Sequence, residues 1–110
     1  MEWEETNKEF INLLDGGETE QVLARTEWML TSKNWFSEYR SEDDRAEIWA
    51  FRGMAFYQRR EHDRARTSFE SALGYNPANK RAVQGIESLN EAVKAELIRS
   101  NEKERYGPAI

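Results

Sequence analysis

Apolar residues recur along this chain at intervals of three and four, the period of a helix buried on one side, and nowhere alternate at two as a half-buried strand would. Only two prolines interrupt it, so helices are expected almost throughout. The first passes through Trp3, Phe10, Leu13 and Leu14 and stops at Asp15-Gly16-Gly17, where a glycine can take the left-handed conformation that closes a helix. Thr19 offers an N-cap for a second, through Val22, Leu23, Thr26, Met29 and Leu30, fading in the turn-formers Thr31-Ser32-Lys33-Asn34. The stretch containing Trp35, Phe36 and Tyr39 fits no repeat pattern; burial beside the first helices is expected, since exposure would leave an apolar patch. Ser41 with Asp44 three residues on reads as a capping-box variant, and Glu42 and Asp43 put negative charge at the positive end of the helix that follows. Near the end, Ala82, Val83, Ile86, Leu89, Val93 and Leu97 make one amphipathic stripe on a long helix over 80–105, which Tyr106-Gly107-Pro108 breaks.

Within this all-helical pattern, residues 46–79 carry a fixed spacing of particular residue types: Trp49, Gly53 and Phe56, then Ala65, Phe69, Ala72 and Pro77. That set resembles one tetratricopeptide repeat, a helix–turn–helix unit of roughly 34 residues. Small Gly53 and Ala65 would let two antiparallel helices approach, Trp49, Phe56 and Phe69 would fill the space beside that contact, and Pro77 would end the second helix by restricting Asn76. The chain departs from the repeat where Arg52 stands in place of the leucine before the glycine, and where Arg60 and His62 replace a glycine and an aromatic at the turn. One repeat cannot bury both its faces, so neighbours are required. Residues 3–36 have the length of a degenerate repeat, and the helix over 80–105 reads as a closing cap, its polar face carrying Lys80, Arg81, Glu87, Glu91, Lys94, Glu102 and Lys103. The resemblance implies a single domain over 1–110, built as a tetratricopeptide-type right-handed superhelix of antiparallel helix pairs with a C-terminal capping helix.

Composition narrows the chemistry. At 110 residues the chain makes one core, and four Trp, five Phe and four Tyr supply it with large pieces despite a charged fraction of 34%. Without cysteine there is no disulfide, thiolate nucleophile or Cys-ligated zinc; the single histidine, His62, cannot assemble a metal site or a serine-hydrolase base. Asp15-Gly16-Gly17-Glu18 lacks the Gly-Lys-Ser/Thr of a phosphate loop and reads as a turn. Arg59, Arg60, Arg64 and Arg66 are interleaved with Glu61, Asp63 and Glu70, and the net charge of −5 opposes nucleic-acid binding. No apolar run reaches the roughly 20 residues of a membrane span, and the opening Met-Glu-Trp-Glu-Glu lacks the order of a signal peptide, so a cytoplasmic protein is expected. No catalytic residues, metal or cofactor are expected.

In the tetratricopeptide family the first helices of successive repeats line a concave groove that receives a peptide or helix of a partner protein. The resemblance implies a protein-interaction module, an adaptor or small chaperone. Its groove would be lined by Glu47, Ala50, Phe51, Met54, Tyr57 and Gln58, with Arg81, Gln84 and Ser88 of the cap helix as a polar flank. Phe51, Met54 and Tyr57 would be open to a partner, so that Met54→Glu would weaken binding without unfolding the protein. Arg52 is expected to be partly exposed, with its head in water or on a carboxylate. The alternative is a structural or self-associating subunit using the Trp35–Tyr39 stretch or the convex face; the sequence leaves the oligomeric state open.

Overall fold

The computed structural model describes the backbone of residues 3–32 and 41–106 and the side chains of 4–32 and 41–98; the Trp35–Tyr39 stretch lies outside the described residues. The described residues are all-helical, with α1 Trp3–Asp15, α2 Thr19–Thr31, α3 Glu42–Gln58, α4 His62–Tyr75 and α5 Lys80–Tyr106. Each boundary has a local cause. Gly17, with φ of 74°, closes α1 in a Schellman arrangement: its N–H donates to the Leu14 carbonyl and that of Glu18 to the Leu13 carbonyl. Thr19, expected as an N-cap, is instead the first residue of α2, and the cap residue Glu18 makes no side-chain cap bond. Ser41 does cap α3, its Oγ accepting from the Asp44 N–H at 3.3 Å. The Asp44 carboxyl is pushed above the ordinary carboxylate range by burial and then by its acidic neighbours Asp43 and Glu47. Asn76 is extended before Pro77 and ends α4. Asn79, which the sequence pattern did not single out, caps α5: buried at the helix start, its Oδ1 accepts from the Ala82 N–H at 2.9 Å.

The turn from α3 to α4 repeats the α1 closure with a different residue. Arg60 has φ of 62°, its N–H donating to the Tyr57 carbonyl and that of Glu61 to the Phe56 carbonyl. A left-handed conformation costs a non-glycine residue about 1 kcal/mol or more, and Arg60 bears that cost at the position where the repeat pattern has glycine.

Helix α3 is the wall between two apolar clusters. On one side Ile48, Phe51 and Ala55 meet Phe10 and Leu14 of α1 and Val22 and Met29 of α2. On the other, Ala46, Ala50 and Phe56 meet Ala65, Phe69 and Ala72 of α4 and Ala82 and Leu89 of α5. A helix buried on both sides needs apolar residues nearly all round, and Ala46-Glu-Ile-Trp-Ala-Phe-Arg-Gly-Met-Ala-Phe-Tyr57 provides them. Arg52 breaks that run and is half-buried. Its Nη1 donates to the Leu23 carbonyl at 3.0 Å and to Thr26 Oγ1 at 3.1 Å, and its guanidinium lies 5.3 Å over the Phe56 ring. The expected partial exposure is found, while the head takes a backbone carbonyl and a hydroxyl where a carboxylate or water was expected: Arg52 ties α3 to the backbone of α2, and burial lowers its pKa from the usual range.

The second cluster depends on a close fit around Phe69. A Cβ built on Gly53 would lie 2.6 Å from the Phe69 ring, and one on Gly85 of α5 would come nearer still, so the ring fills the space that two missing side chains leave. Gly74, in the same helix as Phe69, has nothing within 4 Å of its missing Cβ. Beyond Leu89 the stripe on α5 loses its cover: Val93, Leu97 and Ile98 are exposed, as is Val83 near the start, so the expected continuous packing of this helix holds only for its first half. Among the described residues, no helix is long and apolar enough to cross a membrane.

These contacts set three expected outcomes in thermal or urea unfolding. Gly53→Ala and Gly85→Ala should each destabilise by about 1 to 3 kcal/mol through overpacking, although alanine is the better helix former. Gly74→Ala, the control, should stabilise by about 0.5 kcal/mol. Loss at all three positions alike would mean that backbone conformation, and not the Phe69 ring, sets the cost. Arg60→Gly should stabilise by about 1 kcal/mol, and a lowered midpoint would show that its side chain does more than its strained backbone costs. Arg52→Met should destabilise by about 1 to 2 kcal/mol by removing a charged donor from the Leu23 carbonyl and Thr26; an unchanged midpoint would leave the bridge without energetic weight.

Candidate functional site

Between α3 and α5 lies a cavity of about 350 Å³ lined by Met54, Tyr57, Gln58, Arg81, Gln84 and Ser88, with Phe69 and Gly85 at its base. The first six are residues the sequence assigned to a groove. The two at its base were not, although Phe69 and Gly85 are the residues whose mutual fit brings α5 onto the α3–α4 pair. Gly85 could have been suspected, because a glycine within a long amphipathic helix lowers helix propensity without an evident turn to justify it.

Three of the nine expected groove residues sit differently. Ala50 and Phe51 are fully buried, at 0% exposure, and are not open to a partner. Phe51 packs against Phe10 with ring centroids 5.2 Å apart, and the Arg81 guanidinium covers it at 4.8 Å. The side of α3 away from Trp49, Gly53 and Phe56 is therefore core as well, because α1 and α2 pack there. Glu47 lies outside the cavity, in an adjoining polar depression with Asp43, Asn79, Lys80 and Arg81. Both its carboxylate oxygens are engaged, one accepting from Asn79 Nδ2 at 2.7 Å and the other from Arg81 Nε at 3.0 Å. Its role here is to tie the start of α5 to α3, and in doing so it holds Arg81 over Phe51.

Met54 is half-buried and packs against both apolar clusters. It cannot serve as a purely external contact: Met54→Glu would disturb the core as well as the cavity. Tyr57 is half-buried too, its ring stacked on His62 at 5.8 Å. Gln58 anchors one edge, its Nε2 donating to the Leu14 carbonyl at 3.0 Å. Gln84 and Ser88, one helical turn apart on α5, are exposed. The cavity therefore has an apolar floor and inner wall and a polar rim of Gln58, Gln84 and Ser88, with Arg81, paired to Glu47, at one end.

The basic cluster at the α3–α4 turn is largely occupied within the molecule. Arg59 and Arg64 both pair with Glu61, at 2.9 and 3.5 Å, and Arg66 donates to Asn90 Oδ1 at 3.0 Å. Among the described residues no group of three or more histidine, aspartate or glutamate side chains is placed to hold a metal ion. Comparison of the chain with family models, with curated proteins and with solved structures finds no match.

Proposed function

We propose that this chain is a protein-interaction module of the tetratricopeptide type, a right-handed superhelix of helix pairs capped by α5, that takes a peptide or helix of a partner protein between α3 and α5 as an adaptor or small chaperone. The observation carrying this reading is the cavity itself, whose apolar base can take an anchoring side chain while Gln84 and Ser88 at its rim remain open to a partner's polar groups. The repeat assignment has separate support in the packing. Phe69 fills the space left by Gly53, Ala65 and Ala72 lie in the same apolar cluster, and Arg60 adopts the backbone conformation that a glycine would favour.

A second reading, a self-associating subunit, is favoured by a different observation. Trp28 is 57% exposed and Leu97 60%, and with Val93 and Ile98 they leave large apolar side chains in water on α2 and α5.

Ser88 separates binding from folding where Met54 does not. The full chain should enrich peptides from a random-peptide display library, and Ser88→Trp should lose those peptides by filling the cavity while keeping the wild-type melting midpoint. If selected peptides bind Ser88→Trp as well as wild type, the site lies elsewhere. Light scattering over a concentration series tests the second reading: a mass that rises with concentration and falls back in a Leu97→Glu variant would support assembly through α5.

A further inference from the structure

The cavity between α3 and α5 does not end at Ser88. A second depression shares Tyr57, Gln84 and Ser88 with it and continues along α5 past Glu87 and Glu91 to Ala92. No arginine, lysine or histidine lines that continuation. The carboxylates of Glu87 and Glu91 are exposed and form no ion pair among the described residues. Cations elsewhere along the groove are differently placed. Arg81 at one end is paired with Glu47 and laid over Phe51. Lys80 lies beyond it in the polar depression beside Asp43. Arg60 and His62 lie at the far end, opposite Glu96. An apolar socket is thus followed by a negative step whose lining holds no cation, the nearest on the same helix being exposed Lys94 one turn beyond Glu91, on a chain whose net charge is already −5.

We propose, building on the interaction-module reading, that the groove selects a basic amphipathic segment of a partner protein: an aliphatic or aromatic side chain enters the socket between Met54, Tyr57 and Phe69, and a lysine or arginine beside it meets Glu87 and Glu91. Helical rise fixes the spacing. Glu87 and Glu91 stand within one turn of Ser88, roughly 5 Å along the axis. A partner cation must therefore lie three or four residues from its anchor if the segment is helical, or about two if it is extended, before or after it according to the direction the segment runs. An acidic segment meets like charge at that step and is rejected, so the carboxylates contribute selectivity and association rate more than total affinity.

The test is a random-peptide display selection on the full chain, followed by fluorescence anisotropy of the most enriched synthetic peptide. Selected peptides should share an apolar residue with Lys or Arg at one of those offsets. The double variant Glu87→Gln/Glu91→Gln should bind the peptide about three- to tenfold more weakly, and added salt should erase the difference. Both glutamates are exposed, so the melting midpoint should hold and exclude a folding defect. Peptides lost by Ser88→Trp that show no basic enrichment and bind the double variant as well as wild type would overturn the charge selection while leaving the groove as the site. Peptides indifferent to Ser88→Trp, or no enrichment at all, would overturn both readings. A concentration-dependent dimer of the chain alone that Ser88→Trp abolishes would make a second copy the occupant and overturn the partner proposed here.

Discussion

The fit of one phenyl ring against two glycines organises this molecule. Phe69 projects from α4 into a space that exists because neither Gly53 on α3 nor Gly85 on α5 carries a Cβ. A buried phenylalanine stabilises by roughly 1.5 to 3 kcal/mol through the area it removes from water, and it does so here only while both neighbouring backbones stay close. The same contact makes three helices one unit: α3 and α4 are neighbours through a tight turn, but α5 is brought in by Gly85 lying on the ring. The candidate site follows from that arrangement, since Phe69 and Gly85 form the base of the cavity that α3 and α5 enclose.

Much of this was legible in the chain. The period of apolar residues sets the helices, the glycines after Asp15 and the serine before Glu42 mark two of their ends, and the spacing from Trp49 to Pro77 locates the pair that Phe69 joins. What could not be read was which neighbour covers which face. Phe51 follows the same side of α3 as Met54 and Tyr57, and a helix packed on one side only would have left all three exposed. The covering of Phe51 by Phe10 from α1 and by Arg81 from α5 depends on contacts across 41 and 30 positions of sequence, which no local period records. Arg52 shows the same limit from the polar side. A charged residue in an apolar run reads as a surface position, and here it is held by a backbone carbonyl and a threonine hydroxyl of α2.

Gly85 and Arg60 form an instructive pair. Gly85 carries no turn and no unusual backbone angle, so the sequence marks it only as a glycine inside a helix, and the ring it accommodates is seen in the packing alone. Arg60 is the reverse: its significance, a strained left-handed residue at a Schellman closure, is a matter of backbone geometry alone. The fold accepts that strain because Glu61, next in the chain, pairs with Arg59 and Arg64 and Tyr57 stacks on His62 across the same turn. Exposed ion pairs contribute little each, yet they converge on the one turn that needs them.

The charge that a groove offers is the charge its own fold has not already used. At the start of α5, Glu47 accepts from both Asn79 and Arg81, and the guanidinium so fixed lies over Phe51, closing the core against the cavity. The cation nearest the socket is therefore committed to structure, and its partner carboxylate with it. About two and three turns further on, Glu87 and Glu91 form no ion pair among the described residues, and the wall opposite them is Tyr57 and not a basic residue. The composition of α5 alone, with lysine, arginine and glutamate intermixed, would suggest a helix of balanced charge. Position matters more than that total: Arg81 is taken up by Glu47, while Glu87 and Glu91 form no ion pair among the described residues and stand beside the apolar socket. Sign and position together limit what such a groove can accept more tightly than its shape does, since an apolar base tolerates many side chains of similar size whereas an unmatched carboxylate discriminates between partner charges of opposite sign.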